Sequence, residues 1–149
     1  MKSPYGTHPQ ALRDLLDAVG PAEVRVFTLA EDEEYGNASI NRFPIDKNWS
    51  GARDFSGVRV FEQVVEEDYE DAAVRLGETV LRYASPESEV VVFWGNVVIP
   101  TIGISAALAA ANAETLMDTG DDVWIYPPGR NVLIEYWHSG RITAGEIPA

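Results

Sequence analysis

The chain is 149 residues long, 46% apolar and 10% aromatic, which is the size and composition of one globular domain rather than a disordered segment. It has no cysteine, so disulfides, thiolate metal sites and cysteine nucleophiles are excluded, and a reducing, cytoplasmic setting is expected. With 24 acids against 11 bases the net charge is −13, which argues against nucleic acid as a partner, because polyanion binders need clustered Lys and Arg.

At the N-terminus, Met1 to Gly6 carries no apolar run of the signal-peptide type. Thr7-His8-Pro9-Gln10 opens a first helix, with Thr7 as cap and Pro9 in the first turn. Leu12, Leu15, Leu16 and Val19 then form one apolar stripe, and Gly20-Pro21 stops it. Glu23 to Leu29 reads as a strand. Residues 30–56 are the least regular: Glu31-Asp32-Glu33-Glu34 begins them, and Gly36, Pro44 and Gly51 punctuate them. A short strand is expected near Ala38 to Phe43, anchored by Ile45, Trp49 and Phe55, because a structureless loop of that length is unusual in a domain.

Val58 to Val65 reads as a strand. A second helix runs from about Glu67 to Ala84, with Tyr69, Ala73, Leu76, Val80 and Tyr83 inward and the pairs Asp71–Arg75 and Glu78–Arg82 outward. Val90 to Trp94 is an uninterrupted apolar run, the mark of a strand covered on both faces. An alanine-rich third helix, about Ile104 to Met117, is expected to lie close against the sheet. Interruptions at Pro100 and by glycines and Asn96 argue against a membrane span between Val90 and Ala111.

The last third gives the clearest pattern: Val123 to Tyr126, Val132 to His138 and Arg141 to Ile147, separated by Pro127-Pro128-Gly129-Arg130 and Ser139-Gly140 turns. With a two-residue turn, His138 opposes Arg141 and Glu135 opposes Ala144, which puts Glu135 and Glu146 on one face near Trp137. The fold class is therefore α+β (α/β in the broad sense), a single domain with a mixed sheet, about three helices and a C-terminal antiparallel three-strand meander.

Catalytic chemistry finds little support. His8 in a first helical turn and His138 at a hairpin tip are solvent positions, and no G-x-S-x-G places a serine. No zinc pattern is present; Asp118, Asp121 and Asp122 around Gly120 lack EF-hand spacing and read as a helix-ending turn. Gly95-Asn96 follows a buried strand but has neither P-loop nor dinucleotide-binding spacing. No cofactor or metal is expected.

Acidic residues concentrate instead. Glu62, Glu66, Glu67, Asp68, Glu70 and Asp71 lie close together, and Glu31, Asp32, Glu33 and Glu34 add a second run. Acids in a first helical turn complement the helix dipole, but these exceed what one terminus uses. Tyr35, Trp49 and Tyr69 lie near them, and aromatic anchors in a charged rim suit a protein interface. A solvated face that keeps the protein soluble is the plainer reading.

In size, acidity, lack of cysteine and its Trp- and Tyr-rich meander, the chain resembles the immunity proteins of bacterial polymorphic and contact-dependent toxin systems. That resemblance implies a non-catalytic protein that neutralises a basic, nuclease-type toxin. It assigns no residue roles. The alternative is a small enzyme or ligand-binding domain with a pocket between the sheet and the third helix, using Trp94, Asn96, Glu135 and Trp137. A third is a subunit of a larger complex.

Overall fold

A computed structural model describes residues 3–46 and 52–149. Trp49, one of the expected anchors, lies outside the described residues. Strands β1 (Arg25–Val26), β2 (Val60–Val65), β3 (Glu89–Trp94), β4 (Ile102–Ser105), β5 (Val123–Tyr126), β6 (Val132–Trp137) and β7 (Arg141–Glu146) form one sheet in the order β1-β4-β3-β5-β6-β7-β2. Every strand pair is antiparallel, so the sheet is narrower in type than the mixed one expected. Five α-helices are described: α1 (Arg13–Val19), α2 (Leu29–Asn37), α3 (Tyr69–Tyr83), α4 (Ala106–Ala111) and α5 (Ala113–Thr119). No helix among the described residues is long and apolar enough to cross a membrane.

The period-2 alternation of the strands sorts their side chains onto two faces. Val90, Val92, Ile102, Ile125, Ile134 and Ile142 pack under Leu15, Leu76, Val80 and Leu116 of the helices. Val91, Phe93, Trp124, Tyr126 and Leu133 point the other way, where Phe27, Ile40, Phe43 and Phe55 cover them. This two-sided cover is why β3 is apolar at every interior position, as the run Val90 to Trp94 implied.

The helices approach closely. A Cβ added at Gly77 of α3 would lie 2.8 Å from the Ala110 carbonyl oxygen, so α3 rests on the backbone of the alanine-rich α4. The expected third helix is in fact a strand and two short helices. Ile102–Ser105 pairs with β3, Ser105 caps α4 by accepting from Leu108 N at 3.2 Å, and a break at Asn112 separates α5.

The segment expected to hold a strand at Ala38 to Phe43 is helical. Thr28 and Glu31 form a capping box that starts α2, and a 3-10 turn follows over Ile40–Arg42. Of the strand expected over Glu23 to Leu29, only Arg25–Val26 pairs, with β4.

The meander forms as expected but one residue out of register. Trp137, not His138, pairs with Arg141, and Glu135 pairs with Thr143. The connection therefore has three residues, His138 to Gly140, with Gly140 at φ 100° and its N–H donating to Trp137 O at 2.8 Å. Glu146 pairs with Val132 and so lies on the helix-covered face, opposite Glu135. The carboxylate pair is split, because a one-residue slip reverses every side chain of a strand.

Candidate functional site

Charge on α3 and β2 is arranged differently from the simple helical pairing. Asp68 caps α3, its Oδ1 accepting from Asp71 N at 3.0 Å. Arg82 reaches past its own helix to β2, where its Nη1 lies 2.6 and 2.5 Å from the two Glu62 carboxylate oxygens. Glu62 also accepts from Thr79 at 3.1 Å and from the Tyr83 hydroxyl at 3.2 Å. Arg75 likewise turns to Glu66 at 3.2 Å. Both arginines are thus paired with the strand side, and Asp71 and Glu78, their expected i,i+4 partners, stand exposed on the outer face.

Between those acids lie two apolar side chains that stay partly open to water. Val74 is 62% exposed and Leu81 is 45% exposed. At 100° per residue, Glu70, Leu81, Val74, Glu78 and Asp71 fall within one sector of α3, opposite buried Ala72, Ala73, Leu76 and Val80. On the α3 side of β2, exposed Phe61 stacks on Tyr83, whereas exposed Val60 and Val65 lie on the other face of the sheet. Tyr69 is exposed at the helix start, and its hydroxyl donates to Asp118 Oδ1 at 2.5 Å. Burial first, then that carboxylate, raises its pKa well above the ordinary phenol value.

The second acidic run sits elsewhere. Glu31 to Glu34 and Tyr35 belong to α2, near β1 at one sheet edge, whereas β2 is the opposite edge. Glu31 is paired with Arg25, which also binds Glu89 at 2.7 Å. The Thr28 backbone N–H and then Arg25 hold the Glu31 carboxyl below its usual pKa. Asp32 accepts from the Thr101 hydroxyl at 2.5 Å, and Tyr35 packs on Phe27 with ring centroids 5.1 Å apart. Only Glu33 and Glu34 of this run are fully exposed. The two runs do not form one patch.

Sequence reasoning missed a cleft of about 450 Å³ on the sheet face away from the long helices, between α2 and β3–β5. Phe93 and Trp124 line its wall; Asp32, Asp122, Asn41 and Arg53 bring polar groups to it. It does not lie between the sheet and the third helix as expected. Trp94 touches it, but Trp137 does not line it, and Asn96 instead accepts from Val98 N at 3.2 Å. The Thr28-x-x-Glu31 capping box was the signal that could have placed its α2 wall.

Glu135 lies behind this cleft with its side chain fully buried. Its Oε2 accepts from Arg53 N and Trp124 Nε1, each at 2.8 Å, and Arg141 stands 3.4 Å from Oε1. Burial raises the Glu135 pKa, against the lowering effect of these donors. Burial in turn lowers the Arg53 pKa, opposed by the charge of Glu135. All three donors come from the fold itself, so the carboxylate ties residues 52–55 to the sheet rather than facing a substrate.

No family model matches the chain, and no curated protein is similar to it. Among the described residues, no three His, Cys, Asp or Glu side chains converge as a metal site would require. His138 lies against Asp122, Nδ1 to Oδ1 at 3.0 Å, and among the described residues no serine or threonine hydroxyl is bonded to it.

Proposed function

We propose that this protein is a non-catalytic, cytosolic binding protein of the immunity type, which covers the active site of a basic, nuclease-type toxin. The observation that supports this most is the outer face of α3. Its arginines are drawn away to Glu62 and Glu66, leaving Val74 and Leu81 exposed among Glu70, Asp71 and Glu78. Apolar anchors inside a charged rim are the composition of a specific interface, and the net charge of −13 favours fast encounter with a cationic partner. Tyr69, Glu67 and Asp68 flank the face at the start of α3.

The test is co-expression with any secreted toxin that a neighbouring gene encodes, and a neighbourhood without such a gene counts against the reading. The reading expects rescue from toxicity and a complex whose association slows as salt rises. A neighbouring toxin that is neither bound nor neutralised counts against it.

A second reading is a ligand-binding domain. It is favoured by the Phe93–Trp124 wall with Asp32 and Asp122 beside it, since aromatic pockets with few polar groups hold small molecules. Asp32→Asn should then remove the thermal stabilisation given by a small planar cation such as benzamidine. An equal shift in the variant and the native protein removes this reading.

A further inference from the structure

The two edges of the sheet are not protected alike. β1 has two residues, is flanked by the Arg25–Glu89 and Arg25–Glu31 ion pairs, and runs directly into α2. β2 has six residues and, among the described residues, pairs with β7 alone. The Glu66 N–H donates to Gly140 O at 2.9 Å, so Glu66 faces β7. By the alternation of an antiparallel ladder, Gln63 and Val65 direct their backbone N–H and C=O groups outward. Among the described residues nothing bonds to those outward groups. Val65 is 61% exposed, and β2 carries neither lysine nor proline, the usual guards of an open edge. A bulge between Val60 and Glu62 interrupts one end and leaves Glu62 to Val65 as regular strand.

We infer that the outer edge of β2 takes an extended basic segment of the partner as an added strand. This rests on the immunity-type reading and names the element that would do the binding. In strand addition the backbone supplies affinity, and the surfaces on either side read alternate side chains. On one side lies a groove of about 280 Å³ containing Phe55, Val60, Asp46 and Asp54, with Arg53 and Arg141 balancing its two acids. On the other, Phe61 stacks on Tyr83, and the exposed acids of α3 lie beyond. Glu62 and Glu66 are held by Arg82 and Arg75, and Arg59 lies over Phe61, so the acid excess here rests on exposed Glu67, just past the strand, and on Glu70, Asp71 and Glu78 of α3. Charge decides the occupant. A second copy would bring two chains of net charge −13 together edge to edge, whereas a lysine- or arginine-bearing strand meets opposite charge.

The test adds a synthetic peptide of alternating Lys and Val to the full chain and follows amide hydrogen exchange residue by residue. Exchange at Gln63 and Val65 should slow by about tenfold or more, since these amides gain acceptors. A Glu/Val peptide of the same length should leave them unchanged. Val65→Pro removes an outward donor but no β7 bond and should abolish the effect, as should Val65→Lys if the proline variant does not fold. Protection that appears without peptide and grows with protein concentration means a second copy occupies the edge and overturns the inference. So does equal protection by the acidic peptide, binding that leaves both amides unprotected, or no binding of the basic peptide. If the neighbouring toxin is bound equally by native protein and Val65→Pro, the edge inference fails while the immunity reading stands. If native protein does not bind the toxin at all, the immunity reading itself fails.

Discussion

The indole Nε1–H of Trp124 donates to Glu135 Oε2 at 2.8 Å across the β5–β6 pair, on the sheet face away from α1, α3, α4 and α5. Trp124 is 2% exposed and Glu135 is 0% exposed, so this is a carboxyl acceptor held inside an aromatic layer. Its second donor, Arg53 N, brings in the segment carrying Phe55, and Phe55 packs on Phe43 in a tilted pair with centroids 4.7 Å apart. One carboxylate therefore fixes the layer that closes this face.

Removing it should be costly. Glu135→Ala leaves the Trp124 and Arg53 donors without an acceptor and the Arg141 guanidinium without its carboxylate. Breaking such a buried pair costs about 3–5 kcal/mol. Glu135→Gln keeps an acceptor oxygen and should cost clearly less. Urea denaturation of both variants against native protein checks the order.

The same group sets a pH dependence. Burial raises the Glu135 pKa above its unfolded value, so the folded state holds this proton more tightly than the unfolded chain does. The stability contributed in this way is full below the unfolded pKa and is lost as pH rises through the folded one. Native stability relative to Glu135→Gln should thus fall on raising pH from the acid carboxylate range towards neutrality. Chemical denaturation of both proteins over a pH series measures it; a difference that grows with pH contradicts the assignment.

Gly140 is the third test. At φ 100° it lies in the left-handed half of backbone space, and a Cβ there would overlap the Glu66 carbonyl oxygen. Gly140→Ala should destabilise by about 1–3 kcal/mol, the usual cost of such strain. It should also raise hydrogen exchange at Glu66, whose N–H donates to Gly140 O.

How much of this could be read beforehand varies with the element. The meander was legible because Pro-Pro-Gly and Ser-Gly punctuate alternating apolar strands, but its register was not. Counting the turn as Ser139-Gly140 rather than His138 to Gly140 moved Glu146 to the wrong face. α2 was hidden because its acids read as loop, although Thr28 and Glu31 carried a capping signal. β4 merged with the alanine-rich helix, since Ile102-Gly103-Ile104 has no punctuation before Ser105. The acids of α3 were found, but their pairing was not: i,i+4 spacing offered Asp71 and Glu78 to arginines that pair with Glu66 and Glu62. Tertiary partners override helix-surface pairs worth only about 0.2–0.5 kcal/mol.

That exposed helix face gives a fourth prediction. Val74→Gln and Leu81→Gln, alone, should change folding stability by about 1 kcal/mol or less, because both side chains are partly open to water and Gln is a good helix former without charge. Each should weaken toxin binding by about 1 kcal/mol or more if it anchors the interface. Calorimetric titration of folded variants with a toxin that the protein is first shown to neutralise separates the two effects.

The proposal that the α3 face meets a cationic partner is tested most directly by stopped-flow association with a neutralised toxin, once one is found, over a series of salt concentrations. The account predicts an association rate that falls about tenfold or more from low to high salt, with a shallower slope after Asp71→Lys and Glu78→Lys. A rate indifferent both to salt and to reversing those two charges would contradict it.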